Sequence, residues 1–262
     1  MVLSTISSIV RNRELIWEMT LRDLRGINKG ASLGWLWLFI NPLVQVAAYV
    51  MIVSIVFKAR LSSDTGPFGY ALYVLSGMIP WQMMTKAIQE SPSLIRERMD
   101  LVKQVIYPIE TLPLNSLMVS SVASFVSLFI FLILSLLNGD VRWAYFLLPI
   151  PFFLLLTFIL GISWMFSIAG VIIKDLREIL TVILTLSVYF SPVLLNESMV
   201  GKKTWHYILW NPLSHVVICF RDIFNAQFHP WSWAIFSGMS LAALWIGGWV
   251  ITRTKLLINE YI

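Results

Sequence analysis

The sequence predicts an all-α integral membrane protein with six spanning helices. An amphipathic helix at the membrane surface precedes them, and two short re-entrant helices precede the last span. Three observations predict this class. Apolar residues make up 58% of the 262 and mean hydropathy is +0.79, whereas soluble domains hold about 45–50% apolar residues. Only 13% of residues are charged, and they gather between long charge-free runs. The chain also carries 12 Trp, a residue that concentrates with Tyr at membrane–water interfaces.

Residues 10–28 are the first element. At about 100° per residue, Ile16, Trp17, Leu21, Leu24 and Ile27 share one arc, with Arg11, Glu18, Arg22 and Arg25 opposite. Arg13, Leu15 and Met19 fall off this pattern. A helix lying in the membrane surface fits it, polar face to the cytoplasm. A hydrocarbon core of ~30 Å needs about 20 helical residues. Charge-free runs place spans at 33–57, 67–88, 112–137, 149–172, 178–195 and 231–252.

Lys and Arg set the orientation. With both termini cytoplasmic, Arg11, Arg13, Arg22, Arg25, Lys29, Arg96, Arg98, Lys103, Lys174, Arg177, Arg253 and Lys255 lie inside. Lys58, Arg60, Arg142, Lys202, Lys203 and Arg221 lie outside, and Lys86 sits in the last turn of the second span. The inverted topology would reverse this bias. The net charge of +5 reflects sidedness, and nothing points to nucleic acid.

The stretch SPSLIRERMDLVKQVIYP (91–108) packs Arg96, Glu97, Arg98, Asp100 and Lys103 between the second and third spans. Ser91 is placed to cap a helix with Pro92 in its first turn. Leu94, Ile95, Leu101 and Val102 give that helix one apolar side. A helix docking on a partner fits, because plain topology needs no apolar stripe; the alternative is a solvated loop helix. The link IIKDLREI (172–179) reads equally as a second contact or as a turn. Segment 196–230 is apolar but broken at Asn211-Pro212. Two helices dipping into the outer leaflet would bury the freed backbone in protein or face it to water. An amphipathic loop on the outer surface is the alternative.

Several function classes lose support. No carboxylate falls within the middle of a span, which argues against proton- or ion-coupled carriage. The single Cys219 excludes an intramolecular disulfide. His206, His215 and His229 lack zinc-helix spacing and read as packing or interfacial residues. NESMVGKKT departs from a P-loop, with Asn196 and Lys203 at defining positions, so nucleotide must bind another chain. A membrane-embedded glycan-processing enzyme would have to draw on Glu197, His206 and Asp222. The N-terminus lacks a basic n-region, and no cleaved signal peptide is expected.

Four segments in order, LRDLRGINKGASLGWLWLFINPLV (21–44), LVKQVIYPIETLPL (101–114), YFSPVLL (189–195) and WNPLSHVVICFRDI (210–223), resemble the permease subunits of ATP-binding-cassette exporters for O-antigen, capsular polysaccharide and teichoic acid. The resemblance covers nearly the whole chain, residues 1–262, as one permease domain. RGINKGASLG departs from the family's Arg-Tyr-Lys, and NESMVGKK is a polar insert. The resemblance implies a multi-pass protein of the bacterial inner membrane that pairs with a second copy of itself. Two ATP-binding-cassette ATPase subunits would bind ATP and Mg, leaving no cofactor on this chain, and a lipid-linked glycan would cross between the two permeases.

It further implies that 91–106 is a cytoplasmic coupling helix using Leu94, Arg96, Glu97, Arg98, Asp100, Leu101 and Lys103. The interface helix 10–28 would border the ATPase through Trp17, Arg22, Asp23 and Arg25. Trp37, Tyr49, Tyr189 and Phe190 would line the channel, since sugar C–H faces pack on aromatic rings; lipid-facing or packed aromatics are the alternative. Trp210, Asn211, His215 and Arg221 would form the outer gate. An exporter of the same architecture for a drug or small lipid would need less aromatic lining.

Overall fold

A computed structural model describes residues 2–26, 32–51, 69–99, 108–139, 142–193, 195 and 197–261. The described residues form helices and turns with no strand. In order they are α1 (Val2–Arg11), α2 (Arg13–Gly26), α3 (Trp37–Met51), α4 (Gly69–Glu90), α5 (Leu94–Glu97), α6 (Thr111–Asn138), α7 (Pro149–Ile172), α8 (Leu176–Ser187), α9 (Glu197–Leu209), α10 (Pro212–Asn225) and α11 (Pro230–Tyr261).

Among the described residues, three segments are long and apolar enough to cross a membrane: Thr111–Asn138, Trp143–Ile172 and Pro230–Thr254. They match the expected third, fourth and sixth spans. The first expected span begins with a 3-10 turn at Gly34–Leu36 and continues as α3; residues 52–57 lie outside the described set. The second is α4, with Pro80 inside it. The expected fifth span, 178–195, is shorter than its apolar run. α8 stops at Ser187, and one 3-10 turn, Val188–Phe190, follows. Ser191 is extended (φ −123°, ψ 158°), as expected of a residue before proline, because Pro192 crowds the helical region.

The helix ends alternate between two ends of the bundle. At one end Ile95, Ile109, Leu112, Trp164, Ile168 and Ile251 form a buried cluster. It joins α5, the start of α6, the close of α7 and the latter part of α11. Ser8 donates to Glu110 Oε1 (2.6 Å), so α1 sits at this end too. At the opposite end Arg142 donates to the Asn225 carbonyl (2.6 Å), and Tyr73 donates to the Leu195 carbonyl (3.2 Å). The main core between them is built chiefly from α4, α6, α7 and α10.

α7 packs along α11 at backbone contact. A Cβ on Gly161 would lie 2.2 Å from the Ala243 carbonyl carbon, and one on Gly247 would lie 2.1 Å from Gly161 O. Such close approach through small residues is how helices associate where lipid removes the hydrophobic driving force.

Two sequence expectations change in detail. Residues 10–28 are not one helix: α1 and α2 meet at a turn around Asn12. The side of α2 facing the protein is Ile16, Met19, Thr20 and Asp23, while Trp17 is 56% exposed. That spacing of three, four and seven is one helix face. It includes Met19, which the surface-helix pattern left out, because the partner is α6 rather than lipid alone. Ser91 does not cap a new helix. It is buried in a 3-10 turn (Ser91–Ser93) that continues α4 without a break, donates to Ala87 O (2.6 Å) and lies 2.8 Å from Ser163 Oγ.

Candidate functional site

The charged segment after α4 rests on the bundle. Leu94 and Ile95 are buried, Ile95 completely. Pro92 is seated so closely on α7 that a Cβ on Gly170 would lie 2.1 Å from its carbonyl oxygen. The apolar stripe at its described positions therefore packs on its own chain, and the charges point away along the surface. Arg96 donates to the Lys174 carbonyl (3.0 Å). Glu97 Oε1 accepts from Arg177 Nη1 (3.1 Å), and Arg98 Nη2 pairs with Asp23 Oδ2. Asp100, Leu101 and Lys103 lie outside the described residues.

Asp23 is the junction of a polar network. Its Oδ2 also accepts from Asn115 Nδ2 (2.7 Å), and Thr20 donates to Asn115 Oδ1 (2.6 Å). Asn115 is fully buried in the first turns of α6. Its amide suits the position: it gives protons to the carboxylate and accepts one from the hydroxyl. Interface helix, coupling segment and α6 are thereby tied together. Arg22 Nε approaches Asp23 Oδ1 at 3.9 Å, and Arg25 is exposed.

These residues border an open cleft of ≈ 590 Å³ lined by Arg22, Asp23, Gly26, Glu90, Ser93, Leu94, Glu97, Arg98, Ser116, Val119 and Arg177. Its lining includes three arginines and three carboxylates. The cleft thus gathers Arg22 and Asp23 of the expected interface helix with Leu94, Glu97 and Arg98 of the expected coupling segment. Sequence reading missed Asn115, because a neutral polar residue does not interrupt a charge-free run, and Thr20, because a single hydroxyl stands out little among the charges of 10–28. Arg177 was visible only as one more cytoplasmic charge.

Asp23→Ala is expected to destabilise the protein by about 1–3 kcal/mol, since Arg98 and Asn115 lose a shared acceptor. Asp23→Asn should cost less, because its amide oxygen can still accept. Thermal unfolding in detergent measures both, and equal melting of the two variants would refute the shared-acceptor assignment.

The other predicted residues are dispersed. Trp37 is half-buried at the start of α3, and the side chain of Tyr49 lies outside the described set. Tyr189 and Phe190, in the turn after α8, are 62% and 71% exposed. Trp210 is exposed, and Asn211 caps α10 by accepting from Leu213 N (3.1 Å). Pro212 occupies the first turn, where its missing N–H costs nothing. Asn-Pro thus divides α9 from α10 at the predicted bend, and α9 is itself broken at Gly201 (φ 77°).

His215 is buried with Nδ1 3.1 Å from Ser232 Oγ. Arg221 is buried and donates to Tyr73 Oη (2.8 Å), Val193 O (2.7 Å) and Pro192 O, with its guanidinium 3.7 Å above the Tyr73 ring. Asp222 accepts from His229 N (2.8 Å) and Trp233 Nε1 (2.9 Å), with His229 Nδ1 at 2.6 Å. Both carboxylate oxygens are engaged in closing the α10–α11 turn, while Glu197 and His206 are exposed on α9. Among the described residues, no hydrogen bond or ion pair joins those three.

The fold and the cleft define a multi-pass helical membrane protein that gathers its paired charges at the bundle end holding both terminal helices. The family model described as "ABC-2 type transporter" matches residues 14–225, and the chain belongs to that family. It is 26% identical over 223 residues to the "O-antigen export system permease protein RfbA" of Myxococcus xanthus, covering 84% of this chain and 83% of the relative. A Klebsiella pneumoniae protein of the same description is 23% identical over 248 residues, 94% of this chain and 90% of the relative. The "Polysialic acid transport protein KpsM" of Escherichia coli is 24% identical over 204 residues, 77% of this chain and 78% of the relative.

Proposed function

We propose that this chain is the permease subunit of an ATP-driven exporter carrying a lipid-linked polysaccharide, O-antigen or capsule-like, outward across the bacterial inner membrane. The observation that carries the reading is length-wide similarity: relatives named for O-antigen export or polysialic acid transport align along 77–94% of the chain. In this reading the cleft end faces the cytoplasm, in line with the Lys and Arg bias, and two ATPase subunits carrying ATP and Mg dock there. Two permease copies pair to form the channel. The outward face of α8 supports that pairing, since Ile179, Val182, Ile183 and Leu186 are exposed at the spacing of a single stripe, leading to Tyr189 and Phe190. Aromatic rings hold sugar faces weakly at many points, which lets a polymer slide. ATP-driven closure of the partners moves segment 91–106 and shifts the permease halves.

Purification of the tagged chain from its native host in mild detergent tests this. An ATPase subunit is expected to co-elute with ATP hydrolysis, and deletion of the permease gene is expected to abolish surface glycan. Elution without an ATPase, with surface glycan intact in the deletion strain, would overturn the reading. A drug or small-lipid exporter is separated by Tyr189→Ala with Phe190→Ala. Glycan export should fall while hydrolysis persists, whereas a small-substrate exporter would be indifferent.

A further inference from the structure

We infer that Glu97 and Arg177 form a transmission tie that delivers movement of the coupling segment directly to α8. This rests on the exporter reading above and adds two positioning residues to it. Two independent contacts join the segment to α8 and the link before it: Glu97 Oε1 to Arg177 Nη1 at 3.1 Å, and Arg96 Nη2 to the Lys174 carbonyl at 3.0 Å. Arg177 Nη1 also lies 3.5 Å from Ser93 Oγ, so one guanidinium spans the turn and the short helix.

The receiving helix suits the role. Within α8 only Leu180 and Leu184 are buried. It is joined to the rest of the chain at Arg177 through Glu97 and, beyond the Val188–Phe190 turn, through the Arg221 contacts with Pro192 and Val193. A helix rises about 1.5 Å per residue, so a displacement at Arg177 is carried to Tyr189 and Phe190 roughly 20 Å away. Residues 172–179 are thereby a lever of this chain rather than a separate site for the ATPase. Both side chains are about half exposed, 58% for Glu97 and 45% for Arg177. Exposed pairs contribute little to folding, so their value lies in the linkage.

The test is a charge swap in the permease–ATPase complex, comparing Glu97→Arg, Arg177→Glu and the double variant with the unsubstituted chain. Surface glycan, ATPase co-purification and ATP hydrolysis are measured for each. Export per co-purified ATPase is expected to fall roughly tenfold in each single variant, within the usual range of coupling between sites. The swap is expected to restore most of the export. Singles that export normally, or a swap no better than the singles, would overturn the tie. Release of the ATPase by Glu97→Arg, unrelieved by the swap, would make Glu97 a partner contact and also overturn it. An unsubstituted chain that never carries an ATPase would refute the exporter reading instead, a result visible before any variant is compared.

Discussion

Gly161→Val is expected to be strongly destabilising. Adding methyl groups to a packed interior usually costs about 1–3 kcal/mol, because neighbouring side chains shift to make room. Here the obstacle is main chain: the Cβ alone would lie 2.2 Å from the Ala243 carbonyl carbon and 2.4 Å from Leu244 N. α7 and α11 would have to part, so the loss should reach at least the ~3 kcal/mol upper end of that range. Gly247→Val strikes the same contact from the other helix, and the double variant should fall short of the sum of the singles. Gly238→Ala is the matching control on α11, with nothing within 4 Å of the added carbon. It should be neutral or stabilising by about 0.5–1 kcal/mol, the usual helix preference for Ala over Gly. Thermal unfolding in detergent compares the three, and a Gly161→Val protein melting like the control would refute the contact.

Arg221→Met should be nearly as costly at the opposite end. It removes the donor to the buried Pro192 and Val193 carbonyls, at about 1–3 kcal/mol for each orphaned acceptor. The cation over the Tyr73 ring is lost as well, worth about 0.5–2 kcal/mol. Arg221→Lys should rescue little, because an ammonium cannot reproduce a planar fork reaching several acceptors at once. The expected result is a lowered melting temperature with faster proteolysis around residues 196–204, next to the freed turn. Native-like melting of Arg221→Met would show that the clamp adds nothing.

The long helices were legible in the sequence because lipid imposes a simple rule: runs without charge long enough to cross. Thr111–Asn138 and Pro149–Ile172 follow the predicted bounds almost residue for residue. The bend at Asn211-Pro212 was equally legible, since a capping side chain followed by proline is a local signal. α8 was overestimated even though Pro192 carried the warning, because counting apolar residues ignores what a proline does to the residue before it.

The cleft was half legible. Its charges were visible as a cluster, but their partners lie 75 to 92 residues away, as in Arg98–Asp23 and Asn115–Asp23. No pattern within one segment encodes such pairing. The seat of Ser91 was hidden for the same reason. A serine before a proline is a capping signal locally, and only the arrival of Ser163 from α7 reveals a buried joint instead.

The placement of the terminal helices sets a parity. α1 reaches Glu110 through Ser8, and the latter part of α11 packs on Ile95 and Ile109 through Ile251. Between α1 and α11 the chain therefore comes back to the end it left, and an even number of traverses is the only way to do so. Among the described residues, the helices long and apolar enough to cross number three, an odd count. The rest of the chain must supply an odd number more. Any insertion or deletion that added or removed a single traverse would carry the last helix to the wrong side and strand Ile251 away from the cluster it completes.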